Sequence, residues 1–112
     1  MPETRAILAV LLLFCAATPV MAETAGGIPA PRAAELEHMV IQDCGSCHGL
    51  TMKGGLGSPL TQEALDGADP DALASIILDG VPGTAMPPWR PLLSETEALW
   101  IAEYLLQGDL NQ

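Results

Sequence analysis

The sequence predicts an all-α domain, and three observations predict it. Apolar residues recur at helical spacing in three stretches, each with a recognisable start or stop. No segment alternates apolar and polar residues as a strand would, and no internal repeat is present. Beyond residue 22 only Trp89, Trp100 and Tyr104 supply aromatic rings, a thin stock for a chain too small to build a large core. Something flat and apolar must complete the interior.

The chain opens like an export signal. Arg5 supplies a positive start, weakened by Glu3, and Ala6 to Ala17 is an apolar run of twelve residues. That is short of the roughly 20 needed to span a bilayer. Val20-Met21-Ala22 places small residues before a cut, so residues 1–22 are expected to be a cleaved secretory signal. An uncleaved anchor is the competing reading. A lipoprotein at Cys15 is disfavoured by the bulky Phe14 before it. Residues 23–31, with Gly26, Gly27, Pro29 and Pro31, read as a flexible lead, and residues 32–112 as the folded domain.

The first helix is expected from about Arg32 to Asp43. Ala33, Leu36, Val40 and Cys44 fall on one face, which delivers Cys44 to the core, and Glu35 and Glu37 sit early, where the macrodipole favours acids. Residues 49–60 form a glycine-rich loop. A phosphate-binding loop is excluded, because no strand precedes it and no Gly-Lys-Ser/Thr is present. Thr61 caps a short turn through Gln62–Leu65, stopped by Gly67. The next helix has Asp69 as N-cap, Pro70 at its first position, Leu73, Ile76 and Ile77 as its apolar stripe, and Gly80 at its end. Four prolines in residues 80–93 preclude a helix there. The last helix opens with a capping box, Ser94 with Glu97, and ends at Gly108. Ala98, Ile101, Ala102 and Leu105 form its stripe, and Glu103 is the sole charge from Ala98 to Leu106, so most of its sides should be covered.

Cys44-Gly45-Ser46-Cys47-His48 carries the chemistry. The pattern C-x-x-C-H is the attachment site of a c-type haem. Two thiols become thioethers on one edge of the porphyrin, and the adjoining histidine binds the iron from below. A thiol redox pair would want a preceding strand, and a zinc site two further ligands, for which no cysteine remains after cleavage. The cofactor expected is therefore one covalent haem c, through Cys44 and Cys47, with His48 as proximal iron ligand. With the thiols spent, no disulfide framework is expected.

Met86 lies in the proline-stiffened loop, and its thioether is a soft donor suited to the sixth iron position. Its rivals fit less well. Met52 is too near His48 to reach the opposite ring face, Met39 belongs to the first helix, and Met21 leaves with the signal. His38 sits on a polar stretch and reads as a surface side chain. Trp89 is a candidate indole donor to a haem propionate and Arg90 a candidate ion-pair partner for one. Packing and a solvated charge are their competing readings.

The balance of fourteen acidic residues against four basic gives a formal net charge of −10. Such a surface suits neither nucleic acid nor anionic lipid. It suits a redox partner with a basic docking patch, or simply keeps an exported protein soluble. No nucleophile–base pair is present, so no enzyme is expected.

The order helix, C-x-x-C-H, glycine loop, helix, proline-flanked Met loop and aromatic C-terminal helix resembles a class I cytochrome c over nearly all of residues 32–107. The resemblance implies a small class I cytochrome c fold, with the haem enclosed by three to four helices and loops. It carries the proximal ligand to His48, the distal ligand to Met86, and helix-packing aromatics to Trp100 and Tyr104. The stretches DCGSCHGLTMKGGLG, ILDGVPGTAMPPWRPLLSE and ALWIAEYLL look more closely like the NirC-type cytochromes c-55X of denitrification gene clusters. That resemblance implies a monomeric periplasmic electron carrier associated with cytochrome cd1 nitrite reductase, or an accessory in maturation of its haem d1. A gas-binding or sensing haem protein with a labile Met86 is the third reading. One departure stands out. Many class I cytochromes have Gly-Pro-x-Leu after the haem motif, and the proline carbonyl accepts a bond from the proximal histidine. Here the stretch is Gly57-Ser58-Pro59-Leu60, and the Ser58 carbonyl must serve instead.

Overall fold

The computed structural model of the protein describes residues 16–20 and 26–108. The leader read at residues 1–22 lies outside these, except for an exposed, irregular stretch at 16–20. Among the described residues there are four α-helices and no strand: α1 (Ala30–Met39), α2 (Gly45–His48), α3 (Pro70–Asp79) and α4 (Glu95–Gln107). None is long and apolar enough to cross a membrane.

Helix α1 starts two residues before the expected Arg32. Pro31 fits the first turn, where a missing N–H costs nothing. Ile28 and Ala33 hold the N′ and N4 positions of a hydrophobic staple, and both are buried. The lead is therefore packed from Ile28 onward. Because the helix begins earlier, Glu35 and Glu37 fall beyond its first turn. Glu35 instead pairs with Arg32 at 2.7 Å.

The helix does not stop at Asp43 either. A π-turn, Val40–Cys44, links α1 directly to α2. The Gly45 N–H donates to the Val40 carbonyl, an i→i−5 bond that accommodates one surplus residue. The α-period therefore holds for Ala33, Leu36 and Val40 and then slips by one. Gly45 takes the buried position expected of Cys44, which turns to a half-buried site.

Helix α4 is the organising element. The Ser94 hydroxyl accepts from the Glu97 N–H, and the Glu97 carboxylate accepts from the Ser94 N–H, closing the capping box. The other Glu97 oxygen accepts from Arg32 Nε at 2.6 Å, tying α4 to α1. Residues 98–106 contain no exposed position, as the charge pattern required. Trp100 and Tyr104 stack with centroids 5.1 Å apart. Helix α3 packs along α4. Asp69 occupies its N-cap position in an extended conformation, but its side chain makes no capping bond, so Pro70 alone sets the start.

Leu36, Val40, Met52, Ala98, Ile101 and Ala102 are essentially inaccessible. Met52 is the one non-glycine described residue with positive φ, at 57°. That backbone costs about 1–2 kcal/mol, whereas burying its side chain returns about 1.5–3 kcal/mol. Its amide also donates to the Gly49 carbonyl, and its carbonyl accepts from Leu60 N–H, both at 2.8 Å. Burial and hydrogen bonding outweigh the strain.

Candidate functional site

A cleft of about 920 Å³ opens beside the core, within the range that encloses organic cofactors. Leu73 and Ile77 of α3, Leu105 of α4, and Leu60 and Leu65 of the intervening loop give it apolar walls. Cys44, Cys47, His48 and Met86 all line it, so the structure brings the four expected site residues together. The π-turn and α2 present the thiols and the imidazole, and the proline loop presents the thioether.

His48 is held by its loop. Nδ1 lies 2.6 Å from the Ser58 carbonyl oxygen. A carbonyl only accepts, so Nδ1 carries the proton and Nε2 keeps a lone pair for a metal. The backbone thus supplies what proline supplies in the commoner pattern. Gly57 is required beside it, because a Cβ there would stand 2.7 Å from His48 Cε1 and Nδ1. Further loop bonds, His48 O to Gly54 N–H and Cys47 O to Gly57 N–H, both 2.8 Å, draw the glycine segment against the motif.

The Cys44 thiol is pushed up to about 11, first by burial and then by the neighbouring Asp43 carboxylate. It is a neutral thiol at pH 7, the reverse of the acidic cysteine of a dithiol oxidoreductase. Among the described residues no three His, Cys, Asp or Glu are grouped to hold a metal ion. The raised Cys44 thiol weighs against the dithiol rival of the haem reading.

The Met86 loop is anchored at its exit. Trp89 N–H donates to the Ile77 and Leu78 carbonyls and Arg90 N–H to Leu78, at 3.0–3.2 Å, which satisfies the exposed C-terminus of α3. Gly80 lies directly beneath, where a Cβ would meet Met86 O and Pro87 C at 2.7 Å. Trp89 lines the cleft, but Arg90 does not. The Arg90 guanidinium bonds Asp79 at 2.5 Å and approaches Glu95 at 3.7 Å. That pairing holds the Asp79 carboxyl below its usual range. Among the described residues no Lys or Arg lines the cleft. His38 is exposed, Met39 packs against the core, and Met52 is buried away from the cleft wall. The sequence reading takes Gly80 only as a helix stop and Gly57 only as part of the glycine loop, so it misses their close approach to Met86 and His48, and it misses Thr84.

Residues 31–105 match the family described as cytochrome C oxidase, cbb3-type, subunit III. Cytochrome c55X of Paracoccus denitrificans (strain Pd 1222) is 59% identical over 102 residues, spanning 91% of this chain and 95% of that protein. The chain belongs to the c55X family of c-type cytochromes. Cytochrome c55X of Pseudomonas aeruginosa is 46% identical over 103 residues, 92% of this chain and 85% of that one. Among solved structures, a c-type cytochrome NirC is 50% identical with a TM-score of 0.70, covering 71% of this chain and 94% of that chain. A dihydro-heme d1 dehydrogenase NirN in complex with DHE is 32% identical with a TM-score of 0.60, covering 68% of this chain but only 16% of that chain.

Membership makes this c55X cytochrome an electron carrier rather than an enzyme, with one covalently bound haem c. The donor set fits that group: two thiols and an imidazole on one continuous helical run, a thioether from a separate segment, and apolar walls between.

Proposed function

We propose that Cys44 and Cys47 hold the haem as thioethers, that His48 Nε2 and Met86 Sδ bind its iron, and that this periplasmic cytochrome passes single electrons to cytochrome cd1 nitrite reductase. The convergence of His48 and Met86 on one apolar cleft, with the imidazole tautomer set by Ser58, carries the reading. The haem supplies a one-electron couple, and the imidazole–thioether pair raises its potential relative to two nitrogen ligands. The chain supplies the rest. Ser58 fixes the ring, the proline loop keeps Met86 in place, and the apolar walls exclude water.

Charge supports the kind of partner. Arg32 and Arg90 are both engaged by acids of the same chain. Among the described residues, the one carboxylate lining the cleft is Asp43. Cationic groups that complement the haem edge come from the docking protein, which presents a basic patch.

A second reading has its own observation. The likeness to part of a dihydro-heme d1 dehydrogenase favours a redox accessory in haem d1 maturation. Gene deletion separates the two. Fully assembled but electron-starved nitrite reductase supports the carrier, whereas loss of holo-reductase supports maturation. Absorption spectra test the site itself. A ferric thioether-to-iron band that vanishes in Met86→Ala, without a carbon monoxide shift in the wild type, is expected. A ready carbon monoxide shift in the wild type replaces the carrier reading with ligand binding.

A further inference from the structure

Residues 81–86 form a small closed loop. Val81 N–H donates to the Met86 carbonyl at 3.2 Å. In an antiparallel hydrogen-bonded pair the partner bond, from Met86 N–H to the Val81 carbonyl, would accompany it. Here that second bond is replaced by a relay. Met86 N–H donates to Thr84 Oγ1 at 3.3 Å, and Thr84 Oγ1 donates to the Val81 carbonyl at 2.7 Å. The Thr84 N–H also donates to that carbonyl, at 3.1 Å, which pins the hydroxyl above its acceptor. Thr84 itself lines the cleft beside Met86.

We propose that the Thr84 hydroxyl is the positioning group for Met86: it bridges Met86 N–H to the Val81 carbonyl and sets how firmly the thioether is held toward the iron. This rests on Met86 being the distal ligand. The proposal follows from where the bonds run. Prolines 87 and 88 follow Met86 and have no N–H to donate, so on that side the chain offers no amide to fix it before Trp89. On the other side, the hydroxyl gives the Met86 amide its side-chain partner. An Oγ committed as donor to Val81 and acceptor from Met86 has one orientation. A loop closed by one backbone bond and this relay resists the hinge movement that would swing the thioether out.

Thr84→Val keeps the side-chain shape and removes both bonds, and Thr84→Ser keeps the hydroxyl. The holo-proteins are mixed in the ferric state with imidazole, and loss of the thioether-to-iron band is followed in time, with Met86→Ala measured alongside. Removal of hydrogen bonds of ordinary net strength predicts displacement of Met86 roughly 3- to 10-fold faster in Thr84→Val. Thr84→Ser should match the wild type. Circular dichroism should show all three variants equally helical, because Thr84 is exposed and Thr84 and Met86 both lie outside the helices. A wild-type displacement rate in Thr84→Val, or a serine variant as fast as valine, overturns the proposal while leaving Met86 as ligand. Survival of the band in Met86→Ala overturns the ligand assignment and this proposal with it.

Discussion

Gly57→Ala should loosen the proximal ligand while leaving the haem attached. Gly57 lies outside the left-handed backbone region, so alanine meets no conformational penalty there. Its effect is steric. The new Cβ would stand 2.7 Å from His48 Cε1 and Nδ1 and 3.2 Å from Cγ, where ordinary contact begins at 3.4 Å. The ring must retreat by about 0.7 Å. Directed away from the loop, that stretches the 2.6 Å bond to Ser58 to about 3.3 Å, the limit of a useful N–H···O bond. The bond makes the imidazole more basic and so favours the ferric state, and weakening it raises the midpoint potential. If about 0.5–1 kcal/mol of the bond is specific to the ferric state, the rise is about 20–40 mV. Overpacking adds about 1–3 kcal/mol of destabilisation. Redox titration and thermal melting of the holo-protein measure both. Ser58→Ala is the control, since the acceptor is backbone and survives the change. An unmoved potential in Gly57→Ala, or an equal shift in Ser58→Ala, would refute the argument.

Three further outcomes are expected. Gly80→Ala places a methyl against backbone atoms of Met86 and Pro87 at a residue with φ of 66°, so the loop must move. The ferric thioether band should weaken and stability should fall by about 2 kcal/mol or more. The Cys44→Ala/Cys47→Ala variant should lose the covalent attachment of haem and, without haem, leaves a cleft of about 920 Å³ to fill in a small domain. A cooperative, native-like melt of that variant would contradict the view that haem completes the core. Glu97 is held below the usual carboxylate range, first by its bond from Arg32. A lowered folded value contributes stability above the unfolded pKa of about 4.3, lost as pH falls through the folded value. Glu97→Gln should therefore cost about 1 kcal/mol at neutral pH and flatten the acid limb of a stability–pH curve; an unchanged acid limb would assign it to other carboxylates.

Local chemistry was legible in the sequence. The Ser94–Glu97 box, the Thr61 turn and the stop at Gly80 each depend on residues within a few positions of one another. So did the grouping of Cys44, Cys47 and His48, because one motif holds all three. Other features depend on the fold. Arg90 prefers Asp79, eleven residues away, because α3 ends where the proline loop returns. The demands on Gly57 and Gly80 come from an imidazole and a backbone segment brought against them in space. Asp69 illustrates the reverse: a good cap by composition whose side chain stays unused while Pro70 sets the helix start. The π-turn left no pattern, since its surplus residue is absorbed by backbone bonding rather than by side-chain type.

That π-turn makes the first helical run a rod with a fixed phase offset. One half, through Val40, is keyed to α4, and the other half displays the pentad. Each residue of an α-helix turns the chain by about 100°. Winding the same residues as plain α-helix would swing Cys47 and His48 round the axis by about that angle, whereas losing the surplus residue together with the π-turn would leave the pentad's phase where it is. Residue number and winding in this segment are thus two halves of one constraint, which belongs to its register and not to any one of its side chains.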